Sequence, residues 1–163
     1  MQNDAREWFY DGVIALKDDM FRFAFSILRN TQDCEDAVGN AMIQAYEHIG
    51  QLRKRDAFRV WYTKIVRNEC YRILKERKRS AAICFNTEGT VDGRSCESID
   101  VQNALFRLPT DRRIALTLYY LCGYSVAEIA EVLQVPAGTV KSRLSRARSE
   151  MKQILGGTDY AQL

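Results

Sequence analysis

Residues 123–148 read GYSVAEIAEVLQVPAGTVKSRLSRAR, and this stretch has the pattern of a helix-turn-helix. Ser125-Val126-Ala127-Glu128 has the form of a capping box. The serine oxygen accepts an N–H left open in the first turn, and the glutamate three residues on reaches back to the serine N–H. Val126, Ile129, Ala130 and Leu133 recur at helical spacing, which predicts a short helix with one buried face. Gln134 and Val135 make the turn. Pro136 suits the first position of the next helix, where its missing N–H costs nothing.

That second helix can be laid on a wheel at about 100° per residue. With Val140 as origin, Leu144, Ala147 and Met151 fall within roughly 40° of it and form the stripe expected to be buried. Ser142, Ser145, Ser149 and Arg146 fall opposite, with Lys141 at one edge, while Arg143 and Arg148 flank the stripe. Small hydroxyls on an outer crest let a helix sit deep in a major groove, where Arg or Lys can read guanine edges. The flanking arginines point where phosphates would lie.

Outward from this stretch, 163 residues suffice for one medium domain or two small ones, and an apolar content of 47% is ordinary for a globular chain. No apolar run approaches the roughly 20 residues of a membrane span. Met1-Gln2-Asn3-Asp4 lacks the basic-then-apolar pattern of a signal peptide, so a cytoplasmic location is expected. Five cysteines, at positions 34, 70, 84, 96 and 122, are odd in number and widely spaced, with no Cys-x-x-Cys. They indicate neither a disulfide framework nor a zinc site, and reduced, mostly buried thiols are expected. His48 is the single histidine, which leaves the usual metal constellations short of ligands. No metal site, cofactor or small-molecule substrate is therefore expected.

The net charge of +3 hides a strong alternation. Residues 1–52 hold four basic and nine acidic side chains, residues 53–79 eleven and three, residues 80–131 four and seven, and residues 132–163 five and two. Two basic blocks, each behind an acidic one, suggest two separate polyanion contacts and an acidic surface for another partner.

Almost every segment has helical character, and none shows the alternating Val/Ile/Thr pattern of strands. Trp8 to Arg29 predicts either two helices or one that bends near Lys17-Asp18-Asp19. Asn30-Thr31-Gln32-Asp33 stops it and caps a helix from about Cys34 to Ile49, with Gly50 as terminator. After the basic loop Gln51 to Asp56, a long helix is predicted from about Ala57 to Arg79. Periodicity fails from Ser80 to Ser98, a stretch whose Asn, Gly, Asp and Ser content reads as a flexible linker. Helical patterning resumes near Ile99 and breaks at Leu108-Pro109. Thr110 or Asp111 is then expected to cap a helix ending near Cys122-Gly123. The expected fold is all-α: two small helical domains, residues 1–79 and 99–156, joined by the linker 80–98, the second a helix-turn-helix with a frayed tail at 157–163.

Within the long helix, Lys64, Arg67, Tyr71, Lys75 and Lys78 form one stripe with Asn68 at its border. Phe58, Trp61, Tyr62 and Ile65 lie at its N-terminal end beside Arg53-Lys54-Arg55. Aromatics among cations suit a surface that holds unstacked bases while neutralising their backbone. For Phe58, Trp61 and Ile65 a core role fits better, while Tyr71 and Asn68 fit exposed positions.

These residues together resemble a family. Leu105, Leu108-Pro109, Arg113, Gly123-Tyr124-Ser125, Glu128-Ile129-Ala130 and Pro136 to Leu144 are similar to the C-terminal domain of bacterial sigma factors of the extracytoplasmic-function group. Asp33 to Tyr46, with Glu35-Asp36-Ala37-Val38, resembles that family's polymerase-binding helix. Phe58-Arg59, Trp61-Tyr62, Ile65 and Arg67-Asn68 resemble its promoter-melting segment. The resemblance spans nearly the whole chain except linker and tail.

It implies a non-catalytic subunit that binds core RNA polymerase and promoter DNA, is a monomer when free, and is held in check by an anti-sigma factor. The upstream (−35) element would be read through Thr139, Lys141, Ser142, Arg143, Ser145, Arg146 and Arg148. The downstream (−10) element would be captured by Lys54, Arg55, Asp56, Phe58, Lys64, Arg67, Asn68 and Tyr71. Asp36, Asn40 and Gln44, at four-residue spacing, would meet the polymerase. Gly39 stands where the family usually has glutamine and weakens its helix by about 1 kcal/mol relative to alanine. Tyr46 replaces a common tryptophan. The rival readings are a repressor with a dimerising or ligand-sensing first lobe, which predicts an apolar dimer face or pocket within residues 1–79, and an enzyme carrying the same DNA-binding module. The basic aromatic stripe argues against the first. The absence of a phosphate-cradling glycine loop argues against the second.

Overall fold

The computed structural model describes residues 2–81 and 98–156, and its described residues divide into two all-helical units. Most of the 80–98 linker and the 157–163 tail lie outside them, as do Cys84 and Cys96.

The first unit packs three helices: α1 (Gln2–Leu28), α2 (Thr31–Glu47) and α3 (Phe58–Ala81). The first segment forms one continuous helix rather than two. It passes Lys17-Asp18-Asp19 without interruption because Phe9, Met20, Phe23, Ala24 and Ile27 keep one buried face in helical register. Gly12 is no break either. A Cβ added there would come within 2.7 Å of the Phe58 ring, so the missing side chain allows α3 to approach α1.

Helix α2 turns only small residues inward, Cys34, Ala37, Ala41 and Ala45, all fully buried. This seam lets its backbone lie close to both neighbours. It starts at Thr31, earlier than the predicted Cys34, because Asn30 alone is the cap: its side-chain oxygen accepts from the Asp33 N–H at 2.9 Å. Arg29 makes the tight corner with φ +55°. Arg77 of α3 ties that corner down, donating to the Leu28 carbonyl at 3.1 Å and pairing with Asp33. Two short 3₁₀ turns, Ile49–Gln51 and Arg55–Ala57, lead into α3.

The second unit contains α4 (Ser98–Arg107), α5 (Thr110–Leu116), a π-helical turn (Thr117–Leu121), α6 (Val126–Leu133) and α7 (Ala137–Ile154). Neither Thr110 nor Asp111 caps α5, contrary to expectation. Pro109 holds the N-cap position in an extended conformation with no side-chain cap, and Thr110 and Asp111 are already inside the helix. Buried Arg113 does the local work instead. It donates to the Leu108 carbonyl at 3.0 Å, the Phe106 carbonyl at 3.3 Å and Thr110 Oγ1 at 3.2 Å, which satisfies the open end of α4.

The π turn closes with the Cys122 N–H donating to the Thr117 carbonyl, and Gly123 then takes φ +67° to redirect the chain. The capping box forms as expected. The Glu128 N–H donates to Ser125 Oγ at 3.2 Å, and the Ser125 N–H to Glu128 Oε2 at 2.8 Å. Gln134 makes the turn at φ +56°. Pro136 falls one position earlier than predicted, at the N-cap of α7, because its ψ of 148° is extended; its carbonyl accepts the first N–H groups of the helix.

The described cysteines are free and buried. Burial pushes the Cys34 thiol up to about 12 and the Cys70 thiol higher still, so both stay protonated. No described helix is long and apolar enough to cross a membrane.

Candidate nucleic-acid and polymerase interfaces

In α7, Val140, Leu144, Ala147 and Met151 are all buried against α4, α5 and α6. Their burial turns Lys141, Ser142, Ser145, Arg146 and Ser149 outward, while Thr139 is half-buried in the first turn. Ser142 donates its hydroxyl to the Thr139 carbonyl at 2.9 Å, which leaves its oxygen lone pairs outward as acceptors.

Four cations on and beside this crest fall into two pairs. Lys141 and Arg146 engage no partner among the described residues. Arg143 pairs with Asp111 at 3.3 Å, and Arg148 donates to the Tyr120 hydroxyl at 3.0 Å. Glu150 pairs with Arg112, which fastens α7 to α5. Asp111, Arg112 and Tyr120 were not legible as part of this surface from sequence, since they reach it across a helix–helix packing.

The first unit carries the second basic surface. Lys64 and Arg67 are half-buried, while Asn68, Tyr71, Lys75 and Lys78 are exposed along one side of α3. Arg67 donates to Asn68 Oδ1 at 3.1 Å, which orients the amide and leaves its NH₂ group outward. Lys54, Arg55 and Asp56 are exposed at the second 3₁₀ turn, with the Arg55 guanidinium 5.1 Å from the centroid of Trp8.

Phe58 takes the core role read from its residue type, not the base-capturing role that the resemblance implies. It is 5% exposed, boxed by Trp8, Phe9, Trp61 and Tyr62 with ring centroids 5.1–6.1 Å away, and stacks on Tyr62. Such a ring has no face to offer a base, so Phe58 is a core residue. Trp61 and Ile65 lie half-buried at the border.

On α2, Asp36 is exposed and Asn40 half-buried, and Gln32 donates to the Asp36 carboxylate at 3.3 Å. Gln44 is partly committed elsewhere: its amide donates to Glu69 Oε1 at 2.5 Å. Glu69 is a 4%-exposed carboxylate, and Arg72 also holds it at 2.8 Å. Gln44 lies at the edge of the buried seam, so it reaches inward while Asp36 and Asn40 face out. Ile43 shares their face at 56% exposure, and Ile14 of α1 is 70% exposed. Tyr10 and Tyr46 stack between the same two helices. This apolar patch was missed in the sequence because Ile14 reads as one more apolar residue of a segment rich in Phe, Leu, Ile and Ala. Among the described residues, no group of His, Cys, Asp and Glu side chains is arranged to hold a metal ion.

Residues 13–80 match the family Sigma-70 region 2, and residues 98–151 match Sigma-70, region 4. The chain is 35% identical over 140 residues to the ECF RNA polymerase sigma factor SigM of Mycobacterium tuberculosis, spanning 84% of this chain and 71% of the relative. It is 32% identical over 134 residues to the ECF RNA polymerase sigma-E factor of Escherichia coli K12, spanning 71% and 70%. The sigma factor RpoE from Bartonella quintana, solved with the anti-sigma factor NepR, superposes with a TM-score of 0.81 at 25% identity, over 93% of this chain and 98% of that one. The chain belongs to the extracytoplasmic-function sigma factors of RNA polymerase, non-enzymatic factors that direct initiation of transcription at promoters.

Proposed function

We propose that α7 reads the upstream promoter element and that α3 with its preceding turn captures and melts the downstream one. One observation carries the first assignment. Lys141 and Arg146, without partners among the described residues, stand beside three small hydroxyls on a helix face directly opposite a buried stripe. Such a crest enters a major groove without steric obstruction and offers its cations to base edges. Thr139, Arg143 and Arg148 at its flanks serve the phosphates. In the first unit, the exposed amide of Asn68 beside Tyr71 takes an unstacked base, while Lys54, Arg55, Lys64 and Arg67 neutralise the backbone. Asp56 accepts from exposed base edges at the turn.

The outward face of α2, Asp36 and Asn40 with Ile43, meets the core polymerase, and Ile14 extends it with apolar area. Gln44 supports this face from behind through Glu69. The functional domains then correspond to residues 1–79 and 99–156 on the 80–98 tether. The free protein is a cytoplasmic monomer, and an anti-sigma partner covers its polymerase-binding surfaces until a signal releases it. The structural relative solved with NepR supports that last assignment by analogy.

Co-elution of the purified chain with core RNA polymerase on a sizing column tests the reading. A stoichiometric complex is expected, and it should convert to a promoter complex that weakens steeply with salt as Lys and Arg contacts displace counterions. Failure to bind core enzyme from the source organism, with the chain folded, would overturn it in favour of a stand-alone DNA-binding protein. Asn68→Ala should impair promoter opening while leaving polymerase binding intact; equal loss of both would make Asn68 a structural residue.

A further inference from the structure

We infer that Asp111 is a positioning residue for DNA binding, holding Arg143 in the pose from which its guanidinium engages a phosphate. The inference rests on the reading of α7 as the DNA-facing helix. Asp111 lies in the first turn of α5, and its Oδ2 approaches Arg143 on the Nε side at 3.3 Å. Contact through Nε leaves the two Nη groups of the guanidinium for a second acceptor. Arg143 is also the less exposed partner of the pair, its side chain 26% accessible against 48% for Asp111, so the carboxylate works on a guanidinium already confined beside the buried stripe.

The backbone that carries the carboxylate is itself held in place. Ile114 and Ala115, on the next turn of α5, are buried, α5 packs on α7, and the Arg112–Glu150 pair fastens the next position of α5 to α7. Asp111 therefore has a fixed location relative to α7 before DNA arrives. An unbraced arginine must give up the freedom of its four side-chain torsions when a phosphate captures it; Arg143 has surrendered much of that freedom already. Lys141 and Arg146 have no such brace among the described residues, which suits side chains that must adapt to base edges.

Binding of the full chain to a mixed-sequence DNA duplex, followed by fluorescence anisotropy over a salt series, tests this. Asp111→Ala is expected to weaken binding roughly two- to fivefold, the range an exposed ion pair commands. It should weaken it equally for unrelated sequences, and should lower the salt slope toward that of Arg143→Ala, which loses about 0.9 for one phosphate contact. In an Arg143→Ala background Asp111→Ala should have no further effect, in an Arg146→Ala background it should keep its full effect, and Asp111→Glu should restore binding. Asp111→Asn, of the same shape, guards against a folding artefact, with thermal unfolding measured for each variant. Equal effects with and without Arg143 would place Asp111 elsewhere in the fold and overturn the inference. Tighter binding by Asp111→Ala would show that the carboxylate competes with DNA, which overturns it too. If Arg143→Ala itself leaves binding unchanged, the reading of α7 fails at this position, an outcome separate from the other two.

Discussion

Helices α3 and α7 are both basic and both carry a buried face, yet they present their charges differently. On a wheel of about 100° per residue, the buried residues of α7 span an arc of roughly 60°. Those of α3, Phe58, Val60, Tyr62, Thr63, Val66, Glu69, Cys70 and Ile73, span roughly 200°, because α1 and α2 flank it on two sides. A narrow stripe settles the direction of every other side chain on its helix. A wide arc leaves border residues whose exposure depends on how closely the neighbouring helices approach. Phe58, Trp61 and Ile65 are those border residues, and here the aromatic cluster around Gly12 drew Phe58 inside.

The sharpest way to break this contrast is Phe58→Ala. A buried ring boxed by four aromatics should cost about 3–5 kcal/mol of stability in the first unit. Denaturant unfolding reads it, and the transition of α4–α7 should stay where it was. A loss under 1 kcal/mol, with promoter opening selectively impaired, would return Phe58 to the DNA surface. On α7 the corresponding variant is Arg146→Ala, which should leave unfolding unchanged. It should relax discrimination at one upstream base pair by about 1–3 kcal/mol in a competition across single-position promoter variants. Unaltered preference at every position would remove Arg146 from the base-reading set.

Two glycines refine the picture within the first unit. At Gly12 an added methyl meets the Phe58 ring, which its aromatic neighbours hold in place. The strain of overpacking, about 1–3 kcal/mol, exceeds the gain in helix propensity, so Gly12→Ala should lower the unfolding midpoint. At Gly39 nothing lies within 4 Å of the added Cβ. Gly39→Ala should therefore raise stability by up to about 1 kcal/mol. If the midpoint moved the same way for both, the close approach of α1 and α3 at Gly12 would be wrong.

What could be read along the chain was whatever depends on neighbours close in sequence. The Ser125–Glu128 box, the Asn30 cap, the turn at Gln134 and the four-residue stripe of α7 each rest on groups within a turn or two of one another. They followed from spacing and residue type alone, as did the all-helical class. The placement of both basic surfaces followed from charge. The limits of local reading show at Pro109 and Pro136. Pro109 was expected as a break ahead of a cap at Thr110 or Asp111, and Pro136 as the first helical residue; with extended ψ both hold N-cap positions instead, which moves each boundary by one or two residues. Only tertiary structure decided the rest, because the partners are far apart along the chain. Arg77 reaches the corner at Leu28, Gln44 turns in to Glu69, Gly12 admits Phe58, and Tyr120 and Asp111 brace the arginines of α7. Each of these depends on two helices meeting at one distance and one rotation, and no periodicity within either helix encodes that meeting.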